Sequence, residues 1–383
     1  MVDFNLTPEQ QELVKMAEKF AKTEILPVAP KYDHEGEFPQ EVLQKAFELG
    51  LMNTSIPSEF GGLGLGLLDL VLIVEEFASA CPGIAITVFG NELALSSIVR
   101  FGTQDQKERY LPQFTRSPKV ASFAITERDA GSDIGGITTS VKKEGDTYIL
   151  NGRKWFITNA PQADVFIVFA THDPSLREKG ISAFIVERGY DGVSVGEKIE
   201  KLGTRASPVA EVILDGVKVP ASNLLGAEKD GFNIALTSID RTKPVVAAMG
   251  VGVARSALQT ALTYSMQREQ FGRPIGEFQA IQFKLAEMAK DLEAARLLTW
   301  YAAWRCDQGL PFTKEAAIAK AFATDAAMKA SVEAVQVHGG YGYIKEFPVE
   351  KMMRDAKVLQ LLEGTNEIQK IVIAKELIRS VRE

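Results

Sequence analysis

Cysteine and histidine are scarce in this 383-residue chain, which has two cysteines and three histidines. Cys81 and Cys306 are too few and too far apart for a disulfide framework, so we expect both to be reduced, in a cytoplasmic protein. His34, His172 and His338 are scattered, and their spacing is not that of a metal site. The sequence therefore predicts neither a disulfide scaffold nor a metal centre.

Long apolar runs and an excess of positive charge are also missing. No uninterrupted apolar run reaches the roughly 18 residues of a membrane-spanning helix. Residues 1–10 show neither the basic nor the apolar segment of a secretory signal, so we expect no such signal. The formal net charge of −7 argues against a nucleic acid partner. With 46% apolar and 24% charged residues, the composition is that of a soluble enzyme with two or three domains.

The first part of the chain, residues 1–119, carries mainly helical patterns. Thr7-Pro8-Glu9-Gln10 predicts a helix start, with Thr7 as N-cap and Gln10 completing a capping box. Further helices are predicted at residues 41–49 and 68–80. The glycines of residues 59–66 do not match the spacing of a dinucleotide-binding motif, so we interpret this stretch as a flexible loop.

Residues 120–226 change to short apolar runs that are typical of strands. These runs lie at residues 120–126, 147–150, 154–158, 165–170, 181–186 and 211–219. Asn151-Gly152 and Asp215-Gly216 indicate tight turns. The pattern predicts a compact antiparallel β domain.

Residues 227–383 return to long amphipathic patterns. Helices are predicted at residues 233–269, 277–307 and 314–338, and the short connections favour an antiparallel bundle. The whole chain is thus expected to be mainly α with a central β domain. The predicted domains are residues 1–119, 120–226 and 227–383.

Glu363 is the candidate catalytic residue. Gly364 predicts the end of one helix, and Asn366 with Gln369 predicts the capping box of the next. Glu363 is therefore expected at a corner, near the negative C-terminal end of the first helix and beside two leucines. Both surroundings raise the pKa of a carboxylate and suit it to removing a proton from carbon. An ordinary surface glutamate is the alternative on local sequence alone.

Four motifs, in order and spacing, resemble the acyl-CoA dehydrogenase family. They are Ile125-Thr-Glu-Arg-Asp-Ala-Gly-Ser-Asp133, Trp155-Phe-Ile-Thr-Asn159, Arg268-Glu-Gln-Phe-Gly-Arg-Pro-Ile275 and Arg354-Asp-Ala-Lys-Val-Leu-Gln-Leu-Leu-Glu-Gly-Thr-Asn-Glu-Ile-Gln369. The resemblance covers essentially the whole chain. It implies a helical N-terminal domain, a middle antiparallel β-barrel and a C-terminal four-helix bundle. It also implies that Glu363 removes the α-proton of an acyl-CoA thioester.

Loss of an α-proton together with a β-hydride requires a hydride acceptor, which protein side chains do not supply. The resemblance implies FAD, whose N5 takes the hydride. The implied cofactor contacts are Phe123, Ile125, Thr126, Gly131, Ser132, Phe156, Thr158, Arg268, Gln270, Phe271, Gln336, Gly339, Gly340, Thr365 and Glu367. The alternative for Thr126, Ser132 and Thr158 is an ordinary role in strands and turns, and for the glycines of residues 339–342 it is a loop that ends a helix.

Arg268, Gln270 and Phe271, from the third motif, match positions that reach the FAD of a neighbouring subunit. The resemblance therefore implies a homo-oligomer, most often a tetramer.

The resemblance also implies substrate contacts at Ser132, Asp240, Lys243, Phe89, Leu362 and Gly364. The family usually has arginine at position 243, and lysine cannot make the same planar bidentate contact. Some members carry the base at the position of Thr242, where threonine cannot serve as a base. Phe89 matches the floor of the acyl pocket, which favours a short, branched or cyclic acyl group. A role in the protein core is the alternative for Phe89.

The sequence therefore predicts an FAD-dependent dehydrogenase that converts a short, medium, branched or cyclic acyl-CoA to the enoyl-CoA, as in fatty acid β-oxidation. Electrons would pass to an electron-transfer flavoprotein. A flavin acyl-CoA oxidase and a cyclic-acyl-CoA dehydrogenase of aromatic degradation are the alternatives of the same fold. A non-enzymatic acyl-CoA-binding protein is disfavoured because Glu363 is present.

Overall fold

The computed structural model describes residues 5–382. Residues 1–4, on which part of the prediction about a secretory signal rests, lie outside the described residues. The predicted capping box is confirmed at helix α1 (Pro8–Phe20). The amide of Gln10 donates to Thr7 Oγ1 at 3.2 Å, and the amide of Thr7 donates to Gln10 Oε1 at 3.1 Å.

In the described part of the chain, six more α-helices precede the sheet. They are α2 (Ala29–Glu35), α3 (Gln40–Glu48), α4 (Leu67–Ala80), α5 (Pro82–Phe89), α6 (Asn91–Phe101) and α7 (Gln104–Arg116). The helices predicted at residues 41–49 and 68–80 are confirmed to within one residue at each end. The glycine-rich stretch is a loop that follows a single 3-10 turn at Ser58–Phe60, as predicted.

Within residues 5–382, one sheet contains eight strands, which are β1 (Ala121–Ala124), β2 (Ser140–Glu144), β3 (Thr147–Thr158), β4 (Val165–Thr171), β5 (Ile181–Glu187), β6 (Val193–Lys198), β7 (Val209–Pro220) and β8 (Leu224–Leu225). The strand order is β6-β7-β3-β2-β4-β5-β8, and β1 pairs with β4 beside this path.

The prediction of an antiparallel barrel is wrong in two respects. The sheet is not closed, because β6 and β8 do not pair with each other within residues 5–382. Strand β8 has only two residues before the chain turns away, which is too short for a closing ladder. The sheet is also mixed, since β1 runs parallel to β4.

The two dipeptides predicted as tight turns lie inside long strands instead. Asn151-Gly152 belongs to β3 and Asp215-Gly216 to β7, and the pairing shifts register between them. The amide of Gly216 donates to Asn151 Oδ1 at 2.7 Å, so a side chain replaces the interrupted ladder bond. The result is a bulge, and the predicted runs at 147–150 and 154–158 form one strand.

Strand β4 is buried on both faces. Phe166 and Val168 belong to a core shared with α4 and α5. Ile167 and Phe169 belong to a second core with α6 and α7. Coverage on both faces accounts for the continuous apolar run of this strand. It also fixes the neighbouring strand β1, which carries candidate site residues.

The remaining helices are α8 (Gly231–Gln267), α9 (Gln279–Asp307), α10 (Thr313–His338), α11 (Val349–Leu359) and α12 (Asn366–Arg382), with a small hairpin of β9 (Glu269–Gln270) and β10 (Arg273–Pro274) after α8. The three long helices predicted from periodicity are confirmed within about two residues. Helices α8 and α10 approach closely, since a Cβ on Gly250 would lie 2.8 Å from the carbonyl oxygen of Ala323.

Two stretches, Pro82–Phe101 and Gly231–Gln267, have the length and composition of membrane-spanning helices. In each, 67% of the most apolar window is buried inside the fold. Such burial is typical of the core helices of a folded protein, which satisfy the same criteria of length and composition.

Candidate active site

Glu363 lies in a tight turn between α11 and α12. Helix α11 ends at Leu359, so the prediction that this helix runs to Gly364 is wrong. Glu363 has φ 51° and Gly364 has φ 85°, two successive left-handed residues. The amide of Asn366 donates to the carbonyl of Gln360 at 3.0 Å and closes the turn. A left-handed backbone at a glutamate is strained and persists only where neighbours hold it.

The predicted capping box of α12 is also wrong. The buried side chain of Asn366 points to α10, where its Nδ2 donates to Thr324 Oγ1 at 2.9 Å and to Asp325 Oδ1 at 2.8 Å. Because these partners satisfy Asn366, the first turn of α12 is capped by Thr365, whose Oγ1 accepts from the amide of Ile368 at 3.4 Å. Gln369 Nε2 donates back to the carbonyl of Gly364 at 2.9 Å.

The motif around Arg354 anchors α11. Arg354 Nη2 donates to Asp33 Oδ2 at 2.7 Å, which ties α11 to α2. Asp355 Oδ1 accepts from the amide of Thr204 at 2.5 Å, which ties α11 to the loop between β6 and β7. This anchoring fixes the start of the turn that carries Glu363.

The surroundings of Glu363 favour a base that works near neutral pH. Burial raises the pKa of Glu363 to about 7. A hydrogen bond from Thr242 and the charges of Lys320 and Lys243 act in the opposite direction. Thr242 Oγ1 donates to Glu363 Oε2 at 2.6 Å. A carboxylate with a pKa near the working pH is suited to general-base catalysis.

Helix α8 supplies the residues predicted to line the thioester channel. Lys243 is buried, and its Nζ donates to Asp240 Oδ1 at 2.6 Å. Asp240 Oδ2 accepts from Thr313 Oγ1 at 2.8 Å. The lysine at position 243 thus has a full partner on its own helix. Leu362, which is also predicted to contact the substrate, is half-buried and packs against the main core.

Residues at the ends of β1 and β3 form a second part of the site. Ser122 Oγ donates to the carbonyl of Thr158 at 2.7 Å, and the amide of Trp155 donates to the carbonyl of Thr126 at 2.7 Å. These bonds bring together the predicted residues Phe123, Ile125, Thr126, Phe156 and Thr158. Phe156 has a left-handed backbone conformation and is 58% exposed, so its aromatic face is open beside the strands.

A buried ion pair, missed by the sequence reasoning, supports this wall. Lys154 Nζ donates to Glu127 Oε1 at 2.7 Å and to the carbonyl of Ile125 at 3.1 Å. Glu127 also accepts from the amides of Thr138 and Thr139. Burial alone would raise the pKa of Glu127, but the charge and hydrogen bond of Lys154 lower it to about 2. The pair therefore fixes the backbone of the segment that follows β1.

A cavity of about 560 Å³ forms a third part, at the junction of α8, α10 and the β9–β10 hairpin. Its lining includes the predicted residues Arg268, Gln270, Gly339 and Gly340. A Cβ on either glycine would meet no atom within 4 Å, so the backbone there is open. Within residues 5–382, none of its lining residues comes from β1–β8.

The other predicted residues lie at the edges of these groups. Phe271, in the hairpin, is 94% exposed, and Gln336 is exposed on α10 beside the cavity. Gly131 and Ser132 are exposed in the loop after β1, and Thr365 and Glu367 lie at the start of α12. Phe89 is buried and packs edge-on against Phe77, with ring centroids 5.2 Å apart.

These residues fit a dinucleotide with a flat ring system. Arg268 places a cation at the cavity, and the open glycines leave its backbone accessible, two features that suit a pyrophosphate. Phe156 and the β1–β3 wall supply an aromatic face and backbone groups for a ring.

Comparison with known proteins identifies the fold. The family models for the N-terminal, middle and C-terminal domains of acyl-CoA dehydrogenases match residues 7–117, 122–217 and 229–378. The chain belongs to the acyl-CoA dehydrogenase family. It is an oxidoreductase with the acyl-CoA dehydrogenase fold, in which helical domains flank a central sheet domain, and its cofactor is FAD.

Close relatives span the chain almost completely. Acryloyl-CoA reductase (NADH) of Anaerotignum propionicum is 43% identical over 99% of this chain and 96% of its own length. The structure of butyryl-CoA dehydrogenase from Megasphaera elsdenii has a TM-score of 0.96 and 43% identity, covering 98% of this chain and 100% of its own. A chain in the structure of the electron transferring flavoprotein of Acidaminococcus fermentans has a TM-score of 0.96 and 42% identity, covering 99% and 100%.

Lys320 is a further residue at the site that the sequence reasoning did not single out. It is fully buried in α10, and its Nζ donates to the carbonyl of Gly364 at 2.8 Å. A signal was present, since Lys320 is a lone cation among the alanines of Ala316, Ala317, Ala319 and Ala321. A charge within such a small apolar run indicates a buried, paired group.

Proposed function

We propose that this chain catalyses the α,β-dehydrogenation of an acyl-CoA thioester to the enoyl-CoA, with Glu363 removing the α-proton. The observation that carries the proposal is the half-buried carboxylate of Glu363, held by Thr242 in a strained turn, with its pKa raised by burial to about 7. FAD, when bound, supplies the acceptor for the β-hydride.

Each part of the site has a role in this proposal. Thr242 orients the carboxylate of Glu363, and burial keeps water from stabilising the anion before the proton is taken. Asp240 and Lys243, joined by a hydrogen bond, line the thioester channel on α8. The β1–β3 wall, fixed by Glu127 and Lys154, supports the ring of the cofactor. The C-terminal domain in this proposal is a four-helix bundle, as the family resemblance implies.

The acyl group that we propose is short, branched or cyclic. Phe89 is 3% exposed and packs on Phe77, so its benzyl group fills volume that a long chain would need. The related structure of butyryl-CoA dehydrogenase from Megasphaera elsdenii supports a short chain.

We further propose that electrons pass to an electron-transfer flavoprotein and that the working form is a homo-oligomer in the cytoplasm, with a tetramer as the first candidate. The structural relative from the Acidaminococcus fermentans electron transferring flavoprotein study supports the first proposal. The exposed ring of Phe271, and a predicted cofactor cavity built without residues of β1–β8 within the described part of the chain, support the second.

A second candidate is the reverse reaction, reduction of a short enoyl-CoA. The relative acryloyl-CoA reductase (NADH) favours it. Because the pKa of Glu363 is about 7, the residue can donate a proton as readily as accept one at neutral pH. An oxidase or a cyclic-acyl-CoA dehydrogenase remains a further alternative of the same fold.

Anaerobic bleaching of the yellow enzyme by a panel of acyl-CoA thioesters tests the proposal. We expect rapid bleaching by one short, branched or cyclic thioester, and bleaching by Glu363→Gln slowed by about 10²–10⁴-fold. Glu376→Gln, a half-buried glutamate on α12, is the matched control and should behave as the unmodified protein. Near-normal bleaching by Glu363→Gln contradicts the assignment.

Two further assays separate the alternatives. Hydrogen peroxide formed in air during turnover indicates the oxidase. Loss of an enoyl-CoA, faster than dehydrogenation under the same conditions with a reduced electron carrier present, indicates the reductase.

A further inference from the structure

Lys320 connects α10 to the turn that carries Glu363. Its ammonium donates to the carbonyl of Gly364 at 2.8 Å and to Asn366 Oδ1 at 2.9 Å. The residue is 0% exposed, so these bonds are made away from solvent. Gly364 directly follows Glu363, and both have left-handed backbones. The contacts of Lys320 therefore fall on the strained turn itself.

The charges around this turn are few and come from three helices. Helix α8 contributes Lys243, which is paired with Asp240 at 2.6 Å. Helix α10 contributes Lys320 and Asp325, and α12 contributes Glu367. Lys243 is paired with Asp240, and its charge lowers the pKa of Glu363 less than the charge of Lys320 does. The charge of Lys320 is shared with a backbone carbonyl and an amide oxygen, so it acts on Glu363 with less compensation.

We propose that Lys320 is a positioning residue for the reaction, which holds the Glu363–Gly364 turn through the Gly364 carbonyl and favours the ionised form of the base. The inference rests on the proposed role of Glu363 as that base. Gln369 Nε2 also donates to the Gly364 carbonyl, so Lys320 contributes the charge and Gln369 a second, neutral bond. A charged donor makes the stronger hydrogen bond of the two.

Two ionisations limit the working range of this arrangement. Burial lowers the pKa of Lys320 to about 8, while the charges of Glu363 and Asp325 act in the opposite direction. Burial raises the pKa of Glu363 to about 7. The ionised base and the ammonium therefore coexist mainly between these two values, and the two groups titrate as a coupled pair.

The test compares Lys320→Gln with Lys329→Gln, a control that loses the same charge from the exposed side of α10. The ionisation of Glu363 is followed by infrared difference spectra of its carboxyl band, with Glu363→Gln as the reference. We expect the midpoint to move to higher pH by at least about one unit in Lys320→Gln and to stay in place in Lys329→Gln. The same midpoint in all three proteins overturns the proposal.

The pH dependence of anaerobic flavin bleaching provides a second readout. On the acid limb of the profile, Lys320→Gln should bleach about tenfold more slowly than the unmodified enzyme at the same pH, since one pH unit is a factor of ten in ionised base. A uniform loss at every pH indicates a merely structural role and contradicts the proposal. Lys320→Arg, which keeps the charge, should restore the acid limb.

The infrared titration does not depend on turnover. If no acyl-CoA bleaches the enzyme but the Glu363 midpoint still moves in Lys320→Gln, the proposed function fails and the link between the two residues stands. If the Lys320 variants do not fold, the infrared titration of the unmodified protein tests the proposal. Its Glu363 band should then show a second, smaller change as Lys320 loses its proton near pH 8, and the absence of that change overturns the proposal.

Discussion

Thr242 Oγ1 donates a 2.6 Å hydrogen bond to Glu363 Oε2 and thereby joins α8 to the turn after α11. The same hydroxyl lies 3.2 Å from the carbonyl of Ser238, one turn earlier in α8. A hydroxyl has one proton, so it can point to an ionised Glu363 or return to its own helix when Glu363 is protonated. Thr242 is thus able to follow the charge of the base.

Thr242→Val should raise the pKa of Glu363, because the ionised form loses a charged hydrogen bond, typically about 1.5–3 kcal/mol. The acid limb of the bleaching profile should move to higher pH by about one unit or more. Thr242→Ser keeps the hydroxyl and is the control. An unchanged profile in Thr242→Val would show that the bond does not affect the base.

Glu363→Gln should change how stability depends on pH. The pKa of Glu363 is about 7 in the folded chain and 4.5 ordinarily, so between these values the folded chain holds a proton that the unfolded chain has released. The free energy of unfolding therefore falls as pH rises through this window. Relative to the unmodified protein, the variant should gain in melting temperature from about pH 5 to about pH 8. Parallel curves for the two proteins would contradict the raised pKa.

Glu127→Gln should destabilise the protein by about 3–5 kcal/mol, because it leaves Lys154 buried without its counter-charge. Combining it with Lys154→Met should recover part of that loss, since the double variant has no unpaired charge. Urea unfolding of the unmodified protein, the two single variants and the double variant measures the coupling free energy between Glu127 and Lys154. Glu144→Gln removes an exposed pair with Lys142 and should leave stability unchanged. Additive losses would mean that Glu127 and Lys154 do not act as a pair.

Phe89→Ala should move the preference toward longer acyl chains if Phe89 closes the pocket. One methylene of misfit is worth roughly 1–3 kcal/mol, so the ratio of kcat/KM values for two acyl lengths is the measurement. The ratio cancels a general loss of folded enzyme, and removal of a buried phenylalanine typically costs about 3–5 kcal/mol. Phe114→Ala, in the second core, is the control. An identical ratio in both variants assigns Phe89 to the core alone.

Arg268→Ala should release FAD more readily and weaken subunit association. Arg268 lies at the cavity with its guanidinium 5.5 Å from the ring centre of Tyr341. FAD in the filtrate after ultrafiltration, and the mass in solution, are the measurements. Arg273→Ala alters the same hairpin and should keep both properties. A monomer that retains its full FAD would contradict a cofactor held across a subunit interface.

Local signals in the sequence were enough for the helices and for the candidate base. The capping box of Thr7 and Gln10 depends on four consecutive residues, and the structure contains it. Glu363 was found because its motif is local. Asn151-Gly152 was mispredicted because pairing with a long partner strand outweighs the turn preference of a dipeptide.

Features set by packing between distant segments could not be read in the same way. Asn366 is a residue type that commonly caps helices, but its side chain bonds to α10 instead of the first turn of α12. Lys320 lies 43 residues before Glu363 and meets its turn only because α10 and the start of α12 pack together. Whether a sheet closes depends on its end strands, and the shortness of β8 is not evident from the apolar pattern.

The missing side chain of Gly250 has a consequence for how this enzyme tolerates change. An added methyl group would press on the backbone of Ala323 at 2.8 Å, one turn from Lys320. On the other helix, Lys243 lies two turns before Gly250. Widening this helix crossing would therefore move apart the two helices that carry Lys243 and Lys320, whose charges both act on Glu363. A mutation that never touches the substrate could silence the enzyme while leaving it folded, and screens for activity alone would misassign Gly250 to the active site.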